Sequence, residues 1–207
     1  MRPIMTSPWH QDPDLKSRFH PEHPNDLQVV VHDGEPRRTK LVPEMCWVTV
    51  TGVFGALRMP VAPPDAQMPL TPDKVTFTER PVYSAKLLNE PKNLKSVHQG
   101  ETILFVHSPG LPCPLRVTEA YLNERKNWVV AACNKCGADQ ALDPMTVMAK
   151  TRFPDAPGGM VPVAFSAFCG CGGTQMLSMV ESPKPKANGH NASTDAAGAA
   201  KPWWKFW

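Results

Sequence analysis

Four cysteines stand in two close pairs, Cys133-Asn-Lys-Cys136-Gly137 and Cys169-Gly-Cys171-Gly-Gly173, with 32 residues between the pairs. Two thiolates this close can wrap one tetrahedral cation only where the backbone turns sharply, and Gly137, Gly170, Gly172 and Gly173 permit such turns. The spacing predicts a zinc site at Cys133, Cys136, Cys169 and Cys171. All four ligands would come from protein, which leaves no position for water and marks the ion as structural. Four thiolates also serve an iron–sulfur cluster. A redox dithiol at Cys133 and Cys136, with Lys135 lowering a thiol pKa, is the third chemistry these residues allow. On the zinc reading, removing the ion unfolds at least residues 127–180.

The remaining candidates carry weaker signals. Cys46 shares a strand face with Val48 and Val50, so it is expected as a buried apolar side chain. Cys113 lies between prolines in Leu-Pro-Cys-Pro-Leu, and an enzyme built on it would need His107 or His98 and further polar groups in one cleft. No catalytic residue is assigned, because the sequence holds no Gly-rich phosphate loop, serine elbow or metal-hydrolase helix motif. His10, His20 and His23 lack regular spacing and a full set of carboxylates or thiols beside them. They are expected to belong to a solvated arm that lies on the body or stays loose. Glu119 and Glu124 read as a solvated helix face.

The elements that must position the cysteines follow from hydrophobic period and turn residues. Strands are predicted at 28–32, 45–53, 75–78, 82–87 and 100–107, implying a small, strongly bent antiparallel sheet or partial barrel. The segment 59–73, with five prolines, reads as a surface loop. Thr118 should cap a helix running to Arg125, and Asp143-Pro144 should start another. The cysteine region then reads strand, knuckle, helix, strand, knuckle, strand. The fold class is α+β, mostly β. Its parts are a flexible N-terminal arm (1–26), a β-rich domain (27–126), a zinc-ribbon-like module (127–181) and a flexible tether (182–207).

Three stretches, Pro43-Glu-Met-Cys-Trp-Val-Thr-Val50, Ala85-Lys-Leu-Leu-Asn-Glu-Pro91 and Gln99-Gly-Glu-Thr-Ile-Leu-Phe105, resemble the pattern of the bacterial YegJ-like domain of unknown function. The resemblance covers about residues 27–107. It implies a small α+β or mostly β domain and supplies no established activity.

Charge placement narrows the partners. The final segment from Ser182 carries four lysines against Asp195, so the net charge of +3 resides there and the body is formally neutral. A neutral body has no global field for capturing a polyanion, which argues against duplex nucleic acid. No apolar run approaches the roughly 20 residues needed to cross a bilayer, and the N-terminus lacks the apolar core of a secretory signal; a cytoplasmic location is expected. The chain ends in Trp203-Trp204-Lys205-Phe206-Trp207, four of its 16 aromatic residues in five positions. Exposed rings on a tether need a sink. A protein partner is preferred, with the chain's own surface next and weak contact with an anionic membrane also open; the oligomeric state is not readable. The functional expectation is therefore a non-catalytic, zinc-binding adaptor with an aromatic docking peptide. The alternatives are an enzyme using a loop cysteine or histidine, and single-stranded nucleic-acid binding on a face made by Arg125, Lys126, Lys135 and Trp128.

Overall fold

The computed structural model describes residues 7–63, 66–67, 70–157 and 160–180. Strands β1 (Asp26–Val31), β2 (Glu44–Val61), β3 (Thr76–Leu87), β4 (Thr102–Val106) and β5 (Leu115–Val117) follow one another around a closed barrel. Their pairings are antiparallel except where β1 meets β5, in parallel, at Val30 and Leu115. A second, antiparallel sheet of β6 (Trp128–Val130), β7 (Ala164–Phe168) and β8 (Thr174–Met179) has the order β6-β8-β7. The mostly β character is as expected, and the sheet closes fully where the sequence left a bent sheet or partial barrel open.

Closure depends on β2. Its register with β3 shifts between Val50 and Gly52 and again between Val53 and Gly55. Each irregularity adds twist and bends the strand, and glycine admits the bend without a side-chain clash. Below the bends, Cys46, Val48 and Val50 point into the barrel; above them, Leu57 and Met59 point into a different core. β2 was expected to end at Val53, and 59–73 to be a loop. Instead β2 runs to Val61, which pairs with Thr76. The extension tolerates Pro60 and Pro81 because β1 pairs with β2 only as far as Thr49, and β4 with β3 only from Val82 to Lys86. A proline in this two-stranded stretch removes no bond to a third strand. The proline-rich stretch is also less of a surface loop than expected: Leu70 is buried with Val75 and Val129 and bridges to Val180.

The molecule has two main cores. One fills the barrel with Leu27, Val29, Cys46, Val48, Leu87 and Phe105. The other lies between barrel and second sheet, where Leu57, Met59, Val82 and Val106 pack with Trp128, Met145, Phe165 and Leu177. The expected division at 126/127 thus falls inside a continuous apolar layer.

The amino-terminal residues from Ser7 lie on the body, one of the two dispositions foreseen, and they are not simply solvated. After the single turn α1 (Pro8–Gln11), Leu15 is wholly buried, Trp9 Nε1 donates to Asn25 Oδ1 (3.1 Å), and Tyr83 OH donates to Asp12 Oδ2 (2.6 Å). The stretches 43–50, 85–91 and 99–105 meet in space. Asn89 Oδ1 accepts from Trp47 N (2.7 Å), Glu90 Oε2 accepts from Gln99 N (2.7 Å), and Gly100 N donates to Leu87 O (2.8 Å).

A one-turn helix, α2 (Pro36–Thr39), follows β1, and two further helices flank the cysteine region. α3 (Glu119–Arg125) is capped as expected, with Tyr121 N donating to Thr118 Oγ1 (3.2 Å). α4 (Met145–Arg152) begins after Pro144 without a side-chain cap of its own. Glu124, expected on a solvated face, supplies the missing acceptor: its carboxylate takes the Thr146 amide (2.9 Å) and the Thr146 hydroxyl. Among the described residues no helix is long and apolar enough to cross a membrane.

Candidate metal centre

Both cysteine pairs sit in hairpin knuckles built on one plan. In the first, Gly137 N donates to Cys133 O (2.9 Å) and Cys133 N to Ala138 O (2.8 Å). In the second, Gly172 N donates to Cys169 O and Cys169 N to Gly173 O, each at 2.9 Å. Gly137 and Gly172 adopt φ of +79° and +84°, the left-handed region that a side chain disfavours. β6 leads into the first knuckle, β7 enters the second and β8 leaves it, so the second sheet sets the spacing between the two turns.

The folded chain brings all four predicted ligands together. Their sulfurs lie within 4.8 Å of one another. A tetrahedron with metal–sulfur bonds of about 2.3 Å has edges of about 3.8 Å, so small side-chain adjustments make the set fit one ion. The donor set is compatible with zinc. The two short contacts both cross between knuckles, Cys133 to Cys171 at 3.5 Å and Cys136 to Cys169 at 3.6 Å.

Backbone amides support negative charge on the sulfurs. In every case the amide two residues ahead is the donor: Lys135 N to Cys133 Sγ (3.5 Å), Gly173 N to Cys171 Sγ (3.4 Å), Ala138 to Cys136 and Cys171 to Cys169. Burial raises the Cys133 thiol pKa, but the Cys136 and Lys135 amides and the neighbouring thiols outweigh it and bring the group down to about 6. Burial pushes Cys136 and Cys169 up. Lys135 acts on Cys133 through its amide; its ammonium group donates to Cys171 O (2.9 Å) and staples the two knuckles.

Close packing continues into the surrounding shell. A Cβ on Gly173 would lie 2.5 Å from Cys133 Sγ, and one on Gly110 would lie 1.8 Å from Cys136 O. The Gly110 loop, which follows β4, therefore presses against the first knuckle. Arg80 of β3 forks onto Asp139, with NH1 to Oδ1 at 3.0 Å and NH2 to Oδ2 at 2.9 Å, while NH1 also donates to His107 O (2.9 Å). Gln175 Nε2 donates to Ala138 O (2.8 Å). Sequence reasoning missed Gly110, Arg80 and Asp139. They act across the fold, with no local pattern to mark them.

The other candidates have partners of their own. Cys113 Sγ contacts Met45 Sδ (3.8 Å), and burial raises its pKa. His107 Nδ1 lies 3.2 Å from Asp14 Oδ2. His98 pairs with Glu90 (2.7 Å) at the surface. Cys46 is buried, as expected. The single-strand face is corrected: Arg125 and Trp128 are each only 2% exposed. Arg125 NH1 donates to the Trp128 carbonyl, its Nε to Gln140 Oε1 (3.3 Å) and its NH2 to Asp139 O (3.3 Å), so the guanidinium serves the interior. Trp203, Trp204, Phe206 and Trp207 lie outside the described residues. Comparison with family models, with curated proteins and with solved structures finds no match to this chain.

Proposed function

We propose that this chain is a non-catalytic, cytoplasmic adaptor whose binding surfaces are held in place by a structural zinc ion and whose terminal aromatic peptide docks on a protein partner. One observation carries the first part: four sulfurs within 4.8 Å of one another, each receiving a backbone amide. A set so close encloses a single ion, which favours zinc over a polynuclear iron–sulfur cluster. Four protein thiolates also complete a tetrahedral shell, and a catalytic zinc keeps one position open. In this reading residues 27–107 are a YegJ-like scaffold, supported by the mutual contacts of its three characteristic stretches.

The docking role of Trp203, Trp204, Phe206 and Trp207 rests on composition. Large aromatic surfaces at the end of a polar tether gain most when a partner groove buries them. Metal content per folded chain, measured on protein purified anaerobically, tests the first part; one zinc per chain is expected, and metal-free folded protein overturns it. Crosslinking and mass spectrometry on the full chain and on a chain ending at Pro202 test the second. Identical partners for both chains would remove the tail from the proposal.

A further inference from the structure

A different cluster of ligating side chains lies in the amino-terminal segment, outside the cysteine centre. The sequence of His20-Pro-Glu-His23-Pro shows two imidazoles and a carboxylate in a row, and chain order alone does not place them on one side. The fold does: one ligand atom from each of His20, Glu22 and His23 lies within 4.8 Å of the other two. We infer that these three residues form a second metal site, selective for a borderline divalent cation of the zinc, nickel and copper class.

The turn that carries the site is already ordered. His20 N donates to Asp26 O (2.7 Å), His23 N to His20 O (3.3 Å) and Asp26 N to His23 O (2.8 Å). Pro21 and Pro24 hold their own φ angles, so little backbone entropy remains to be lost when an ion binds. The two imidazole rings lie 5.0 Å apart with a 30° tilt, and the His20 ring stands edge-on to Trp47 at 5.4 Å. His20 Nδ1 accepts the Glu22 amide at 3.2 Å, so an ion at this nitrogen takes its lone pair from that hydrogen bond. Glu22 forms no ion pair among the described residues, leaving its charge for a cation.

Bonds of about 2.1 Å place neighbouring ligand atoms about 3.0–3.4 Å apart. Closing from the observed spacing requires rotation of the exposed Glu22 and His23 side chains and loss of one long hydrogen bond at His20. Two nitrogens and one carboxylate suit zinc, nickel and copper, whereas calcium and magnesium seek oxygen ligands. Three protein ligands leave positions for water, in contrast to the complete shell at the cysteines.

The test uses the untagged full chain carrying one equivalent of zinc, enough for the cysteines alone, titrated with nickel chloride by calorimetry and with cobalt chloride by absorption. One additional equivalent is expected to bind, quenching tryptophan fluorescence through Trp47. Its cobalt spectrum should lack the thiolate-to-metal charge-transfer band that the cysteine centre would give. Losing a ligand at the exposed positions, in His23→Ala or Glu22→Gln, should weaken nickel at least about tenfold, with unchanged thermal unfolding in the absence of nickel. Absence of the extra equivalent, or equal binding by wild type and His23→Ala, overturns the site. An unchanged constant in Glu22→Gln overturns the three-ligand assignment.

Discussion

The barrel and the tip of the second sheet solve the same problem by different means. The barrel encloses Leu27, Val29, Val48, Leu87 and Phe105, side chains large enough to exclude water unaided. The tip has little to bury: Cys133, Ala138 and Cys169, with Leu111, Cys136 and Cys171 at the margin. Its knuckles are rich in glycine and their backbone bonds close short turns, which cannot offset the entropy of ordering them. On the proposed reading, an ion at the four sulfurs supplies the difference. Between these extremes lies the root of the second sheet, where Trp128, Met145, Phe165 and Leu177 share a core with the barrel's Leu57, Met59 and Val82. On that reading metal cross-links the tip, while apolar packing holds the root.

Removing the metal should separate the two regions most sharply. Structural zinc contributes on the order of 10 kcal/mol of apparent binding free energy in small zinc domains. Chelation, or Cys136→Ser, should abolish amide-exchange protection at 133–138 and 169–173 while the barrel strands retain theirs. The sequence alone implied collapse of all of 127–180; the shared core predicts that the root persists, and hydrogen exchange at Trp128–Val130 decides between the two.

Truncating a large side chain probes the apolar half. Phe105→Ala and Trp128→Ala should each cost about 3–5 kcal/mol in denaturant unfolding. Phe105→Ala should leave metal content at the wild-type value. Trp128→Ala, acting from the shared core, should both destabilise the fold and weaken metal retention. Equal metal affinity in the two variants would mean that root and tip are uncoupled.

A smaller effect is expected from the backbone around the ion. Gly173→Ala places a methyl group against Cys133 Sγ and Asn134 Oδ1, so the knuckle must shift. Competition with a chromophoric chelator should show metal affinity reduced about 10- to 100-fold, as for other supporting groups around a metal, with barrel stability unchanged.

Acid gives the mildest distinction. His32, buried beside β5, has its pKa lowered chiefly by burial; its Nδ1 accepts Gly34 N (3.2 Å) and its Nε2 donates to Arg116 O (3.0 Å). Below the ordinary histidine pKa of about 6.5 the unfolded chain takes up a proton that the folded chain refuses. Stability should therefore fall as pH drops through that value, and His32→Gln should flatten the fall below about pH 6.5. Thermal unfolding across that window checks the sign.

What could be read in advance was local. Metal ligation needs thiolates at fixed short spacing with room to turn, so Cys133, Cys136, Cys169 and Cys171 announce themselves in the chain. Strand alternation marked Cys46 as interior, and Thr118 marked a helix start, because both depend on neighbours within a few residues. Long-range choices left no such trace. Arg125 looked like a surface cation until its carbonyl and amide partners closed around it. Glu124 looked solvated until α4 offered an amide without an acceptor. Gly110 looked like an ordinary loop glycine until the first knuckle packed against it.

The sequence by itself determined the ligand set, the order of strands and helices around it and the uneven placement of charge, because each is a property of composition or of contacts a few residues apart. Only the tertiary structure decided that β1 meets β5 to close the barrel and that the extended β2–β3 hairpin carries a second core. Those outcomes depend on which distant surfaces exclude water together, and chain order does not encode that in any short pattern.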